Sequence, residues 1–248
     1  MIPYFQIINF PLGPLTIQIW GLLVAIGIFV GAWIGARMAK HRGLDPAVVW
    51  DSAAWITGAA IIGARLFHVV FYDPARYIAD PMSIVAIWQG GMSMFGGFLG
   101  AIVAGVLYLC HRKVDVRNYV DSIVYGLPLG IGIGRIGCFL IHDHPGTLTN
   151  FVLGVRFPDG SIHHDLGLYE SIFSFVLAAV FYVLARRRTR PPAFVATFLV
   201  AYGIFRLAAD FLRIADARYF SLTPAQYLSI AMILVAIFLF SKKLPAKN

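Results

Sequence analysis

Charge is scarce in this chain. Only 13% of its 248 residues are charged, about half the roughly 25% usual in soluble domains. No polar stretch is long enough to form a separate soluble domain. Acid is scarcer than base, with 12 Asp and Glu against 20 Lys and Arg, and Glu170 is the single glutamate. Cysteine is limited to Cys110 and Cys138, which excludes a disulfide scaffold. The opening MIPYFQIINFPLGPL has no Lys or Arg ahead of its apolar run, so a cleavable signal peptide is not expected and the first helix should stay. Hydrophobic residues fill the chain instead, at 59% with a mean hydropathy of +0.77. This composition predicts an all-α polytopic integral membrane protein.

Seven apolar stretches, near 15–37, 47–71, 84–109, 119–141, 168–186, 193–213 and 225–241, are long enough to cross a bilayer. They predict a single transmembrane domain over 1–248 with one larger extracytoplasmic loop near 142–167. Glycines recur in the first stretch (Gly21, Gly27, Gly31, Gly35) and the fourth (Gly126, Gly130, Gly132, Gly134, Gly137), where small residues let helices approach closely. The basic residues orient the chain. Arg37, Lys40, Arg42, Arg112, Lys113, Arg117, Arg186, Arg187, Arg188, Arg190, Lys242, Lys243 and Lys247 all fall on one side of a seven-span topology, whereas the opposite loops hold Arg76, Arg156 and Arg218. The positive-inside rule then sets the N-terminus outside and the C-terminus in the cytoplasm. The net charge of +8 is therefore a topology signal, and no nucleic-acid partner is expected. Cys110 and Cys138 fall on opposite sides of the bilayer and cannot pair.

Four arginines, Arg65, Arg135, Arg206 and Arg213, lie inside apolar segments or at their ends. A cation in hydrocarbon costs about 2.5–3.5 kcal/mol on insertion scales, so it usually has a partner and a function. The topology puts all four in outer halves of outward-running spans, near one face of the bilayer. Snorkelling to the interface fits Arg213 and Arg65. It fits Arg135, flanked by glycines in GIGIGRIGCF, and Arg206 less well. A fixed anion site is expected there, and the obvious anion in a membrane is a lipid phosphate.

Three constellations share that outer side. WQGGMSMFGG at 88–97 pairs Gly90 with Gly91 and Gly96 with Gly97, which suits either close approach to a ligand or helix packing. The 142–167 loop holds His142, Asp143, His144, His163, His164 and Asp165. HDH and HHD lack the spacing of a zinc signature, so a general acid or base is expected there rather than a metal. FVLGVRFPDGSI in the same loop alternates around Asp159-Gly160 and predicts a short hairpin. LGLYE at 166–170 opens the fifth span, where Glu170 either complements the helix dipole or pairs an arginine. Asp210, at i+4 from Arg206, is a second partner.

These residues carry a resemblance. GRIGCF at 134–139 resembles the GRIGNF signature of prolipoprotein diacylglyceryl transferases. GARLFHVVFY at 63–72, WQGGMSMFGG, HDLGLYE at 164–170, YGIFRLAADFLR at 202–213 and SLTPAQYLSIAMI at 221–233 resemble further motifs of that family in the same order. The resemblance implies transfer of diacylglyceryl from phosphatidylglycerol to the lipobox cysteine of a preprolipoprotein signal peptide, giving a thioether and releasing glycerol phosphate. It implies a site at the outer face of the bacterial inner membrane, in contact with membrane lipids, with no cofactor or metal required. Arg135 and Arg206 are expected to engage the phosphate, supported by Tyr202 and Glu170. Arg65, Gly91, Gly96, Gly97, Gly137, Asp210 and Arg213 are expected to help bind substrate.

Several positions depart from the family pattern. Phe95 stands where the family has the histidine of GGMSxHGG, often proposed as the base for the thiol, and a phenyl ring takes no proton. Cys138 replaces the asparagine after GRIG, and Asp143 stands for the usual glutamate. Trp20 replaces a tyrosine, Asp210 a glutamate, and His164-Asp165-Leu166-Gly167 the HP-[ST]-Q segment. Two explanations compete. Either Asp143, His142 or His144 has taken over deprotonation, or the chain is a paralogue that binds phospholipid but uses another acceptor or none.

Overall fold

The computed structural model describes residues 1–13, 15–187, 191–214 and 218–241. Arg188, Arg190, Lys242, Lys243 and Lys247 of the topology argument lie outside the described residues. Short strands β1 (Ile2–Pro3), β2 (Asn9–Leu12) and β3 (Leu15–Gln18) precede helix α1 (Ile19–His41). Then come α2 (Pro46–Phe71), the short α3 (Pro74–Ala79), two 3-10 turns at Pro81–Val85 and Ile87–Gln89, and α4 (Met94–His111). Helix α5 (Val116–Ile141) leads into β4 (Pro145–Leu148), β5 (Val155–Arg156) and β6 (Ile162–Asp165). Helix α6 (Leu166–Arg186), α7 (Ala193–Ala209), a 3-10 turn at Asp210–Leu212 and α8 (Pro224–Ser241) complete the order.

Six helical runs are long and apolar enough to cross a membrane, with mean hydropathies from 1.6 to 2.2, and Phe95–His111 forms a shorter apolar helix. Their outer surfaces are apolar: Trp55, Ile62, Leu107 and Leu234 are each more than half exposed. Lipid accepts such a surface, provided that the backbone closes its hydrogen bonds internally, as helices do. The chain is a multi-pass membrane protein.

Two boundaries differ from the hydropathy reading. The first helix begins at Ile19 rather than near 15, because Leu15–Gln18 pairs antiparallel with Asn9–Leu12. The third begins at Met94 rather than near 84. Proline at Pro81 and positive φ at Gly90 (82°) and Gly91 (74°) keep the preceding apolar stretch out of a continuous helix. The predicted hairpin is present, with β5 antiparallel to β6, and β1 and β4 extend it to a four-stranded sheet in the order β1-β5-β6-β4.

The chain packs as two compact units, Met1–Met38 with Val120–Asn248, and Ala39–Tyr119. In the first, Met38, Leu177, Phe181, Phe194 and Phe198 form a buried apolar cluster. Glycines bring α1 and α5 into backbone contact: a Cβ at Gly126 would lie 2.0 Å from the Gly31 carbonyl oxygen, and one at Gly27 would lie 2.4 Å from that of Gly130. In the second unit α2 meets α4 in the same way, since a Cβ at Gly96 would lie 2.2 Å from the Gly63 carbonyl oxygen.

Candidate functional site

In the first unit, the intramembrane charges converge on two carboxylates. Helix α5 supplies Arg135, the first turn of α6 supplies Glu170, and α7 supplies Tyr202 and Arg206. Arg135 Nε lies 3.0 Å from Glu170 Oε1, and Arg206 Nη1 lies 3.3 Å from Oε2, so one carboxylate bridges two guanidiniums. The Tyr202 hydroxyl donates to Glu170 Oε1 at 2.5 Å. Arg206 Nη2 is 3.3 Å from Asp210 Oδ1, the i+4 pairing expected from sequence, and Arg213 Nε is 3.2 Å from the same oxygen. The Thr223 hydroxyl donates to Asp210 Oδ2. Gln226 fixes Thr223 in turn, accepting from its N–H at 3.0 Å.

Three arginines thus share two carboxylates, leaving one positive charge in excess when both acids are ionised. Glu170 and Asp210 are 3% and 0% exposed at their side chains, against 24% for Arg135, so Arg135 forms the open edge of the network. A buried ion network costs desolvation and is weak evidence for stability. An unbalanced one with an open guanidinium is built to take an anion.

The remaining sequence-predicted residues fall elsewhere. Arg65, in the Ala39–Tyr119 unit, is buried, which corrects the snorkelling expectation. Its guanidinium donates to the carbonyls of Ser83, Ile84, Ala86, Gly90 and Gly91. All five N–H donors are engaged, so Arg65 organises the 81–91 loop and has no donor left for a substrate. Arg213 is also corrected, since its side chain is 14% exposed and turned to Asp210 rather than to the interface. Gly91 closes the Arg65 cage, where a Cβ would meet Arg65 Nη1 at 2.9 Å. Gly96 serves the α2–α4 contact, and Gly137 lets α5 approach Trp20, whose Cα would be 3.1 Å from an added Cβ. Gly97 has room, with no neighbour of an added Cβ nearer than 3.5 Å.

His142 does not fit the expected role of base. It is buried at the C-terminal end of α5 with φ +50°, its Nδ1 2.7 Å from Asp165 Oδ2 and its Nε2 2.8 Å from the Phe5 carbonyl oxygen. Nitrogen facing a carbonyl must donate, and the other is committed to Asp165, so no lone pair faces a substrate. The ring also stacks on Tyr4 at 5.0 Å, which makes it an anchor for the N-terminal segment. Asp165 in turn caps α6, accepting from the Leu168 N–H at 2.9 Å. Burial pushes its carboxyl above the usual aspartate range, against the opposing His142 hydrogen bond. His163 and His164 are also committed, to Gly146 and Ser161 and to Tyr169.

Asp143 and His144 differ, because the outward-facing pair hydrogen-bonds to each other beside Cys138. A carboxylate oxygen of Asp143, a ring nitrogen of His144 and Cys138 Sγ lie within 4.8 Å of one another. Arg135 Nη1 donates to that sulfur at 3.6 Å, which ties this cluster to the anion site. Sequence reasoning missed the grouping, although Cys138-x4-Asp143-His144 at a helix end was a readable signal.

Fold and site together define a polytopic membrane protein with an anion site held between transmembrane helices. A family model described as prolipoprotein diacylglyceryl transferase matches residues 7–242. Proteins named phosphatidylglycerol--prolipoprotein diacylglyceryl transferase from Brucella canis, Brucella ovis and Brucella abortus are each 32% identical over 254 residues, spanning 95% of this chain and 90% of theirs. The chain belongs to the prolipoprotein diacylglyceryl transferase family.

Proposed function

We propose that this chain transfers the diacylglyceryl group of phosphatidylglycerol to the lipobox cysteine thiol of a preprolipoprotein signal peptide, at the outer face of the bacterial inner membrane. The observation that carries this reading is the excess positive charge of the Arg135–Glu170–Arg206–Asp210–Arg213 network. A phosphodiester is a monoanion, and it matches that excess. Arg135 meets the phosphate at the open edge, and Arg206 backs it from inside. Glu170, Tyr202 and Asp210 hold both guanidiniums in place, and Arg213 completes the charge. When the acceptor sulfur attacks the glyceryl carbon, the C–O bond to phosphate breaks and negative charge grows on the departing glycerol phosphate. Donors already fixed at that position stabilise the charge without reorganising.

Arg65 and the glycines Gly91 and Gly96 support the site only through the fold of their own unit, and Gly137 through the seating of Trp20. Activation of the thiol belongs to the Asp143–His144 end of α5, since Phe95 carries no titratable group and both nitrogens of His142 are committed. The test incubates purified protein with phosphatidylglycerol and a lipobox peptide, following thioether product and released glycerol phosphate. Equal yields of both are expected. No turnover with a good acceptor, alongside retained phosphatidylglycerol binding, would refute the assignment.

A further inference from the structure

Cys138, Asp143 and His144 supply three different donors, a sulfur, a carboxylate oxygen and an imidazole nitrogen, within 4.8 Å of one another at the C-terminal end of α5. Zinc takes this mixture of ligands, at about 2.3 Å from sulfur and about 2.0–2.2 Å from nitrogen or oxygen, and its catalytic sites use three protein ligands with the fourth position open. Ligands at such lengths in a tetrahedron stand roughly 3.3–3.6 Å apart, so the cluster needs only a modest closing movement. Asp143 is exposed and His144 half-buried, which leaves those side chains free to make it, while buried Cys138 is fixed. Arg135 beside the sulfur is no obstacle. Thiolate and carboxylate neutralise a divalent ion, so the guanidinium faces a neutral centre.

We infer that Cys138, Asp143 and His144 bind a zinc ion whose fourth position receives the acceptor thiol. The inference rests on the function proposed above and deepens it. The ion binds the acceptor sulfur as thiolate, because a metal-coordinated thiol loses its proton outright. The sulfur forms a bond to the glyceryl carbon as the carbon–oxygen bond to phosphate breaks, and the electron pair leaves on glycerol phosphate. The thiol proton passes through water at the exposed edge and ends on that phosphate. No base with a free lone pair is then needed. Arg135 touches both halves, 3.6 Å from Cys138 Sγ and 3.0 Å from Glu170, so nucleophile and phosphate meet at one guanidinium.

The experiment uses full-length, tag-free protein carrying Cys110→Ser, which leaves Cys138 as the single thiol. Chelator-stripped protein in phospholipid nanodiscs is titrated with cobalt(II) and then zinc. One equivalent of cobalt should bind with a sulfur-to-cobalt charge-transfer band, and zinc should displace it. Cys138→Ser should abolish the band. Loss of even an outer-sphere partner costs about 10–100-fold in metal affinity, so Asp143→Asn and His144→Ala should weaken binding by at least that much. A band that is absent, or that survives Cys138→Ser, overturns the site. Should Cys138→Ser fail to fold, the exposed-side variant Asp143→Asn decides by itself: unchanged cobalt affinity also overturns it. In the transfer assay, stripping should abolish turnover and zinc should restore it. Full turnover without metal refutes the zinc role and leaves the transferase standing. A cobalt band with no transfer at any loading upholds the ion site and refutes the function.

Discussion

Glu170 shows how one side chain sets the character of the site. It is the only glutamate in the chain, and it lies between two guanidiniums with Tyr202 donating to it. Glu170→Gln would keep the shape and remove the charge, leaving Arg135 and Arg206 facing each other uncompensated. Removing one member of a buried pair costs about 3–5 kcal/mol, so the thermal midpoint in detergent should fall sharply, and an unchanged midpoint would contradict the bridge. Asp165 gives a pH signature outside the spans. Burial raises its carboxyl above the model value of 3.8. The folded state therefore holds this proton more tightly than the unfolded chain does. Its contribution is fully present below the unfolded value and is lost as pH rises through the raised one. Asp165→Asn keeps a helix cap and removes the titration. The midpoint of the parent protein relative to this variant should decline as pH rises from the ordinary aspartate range, and a pH-independent difference would contradict the assignment.

At the scale of elements, the two glycines of the FGG pair separate packing from tolerance. A Cβ at Gly96 would collide with the Gly63 carbonyl and Phe67 Cβ at 2.2 and 2.3 Å, whereas at Gly97 the nearest neighbour is at 3.5 Å. Overpacking of this kind costs about 1–3 kcal/mol. Gly96→Ala should lower the unfolding midpoint and Gly97→Ala should leave it nearly unchanged. Equal effects would contradict the α2–α4 contact. The helices were legible because about 20 apolar residues in a row leave few alternatives. The stretch before α4 was not, because hydropathy does not register that Gly90 and Gly91 take positive φ around a buried Arg65. In the site, the pairings of Arg206 with Asp210 and of Glu170 with an arginine were readable from helical spacing and scarcity of acid. The commitment of His142 to Asp165 and Phe5 was not, since those contacts span 23 and 137 residues of sequence.

For the whole molecule, basic-residue asymmetry orients the chain with its N-terminus outside. Cys110, exposed at the end of α4, gives a native probe. A membrane-impermeant maleimide should label it only after intact spheroplasts are permeabilised, and labelling from outside would invert the topology. That orientation places the arginine network in the outer half of the membrane, where phospholipid and exported acceptor meet. Arg135 is the member both open to substrate and in contact with the sulfur of Cys138. The most direct measurement compares the parent protein with Arg135→Ala for glycerol phosphate released and thioether formed, at saturating phosphatidylglycerol and lipobox peptide. Loss of one fixed donor to a developing oxyanion costs about 10²–10³-fold. The account predicts a fall of at least that size in both products with the fold retained. Turnover within a few-fold of the parent would contradict it.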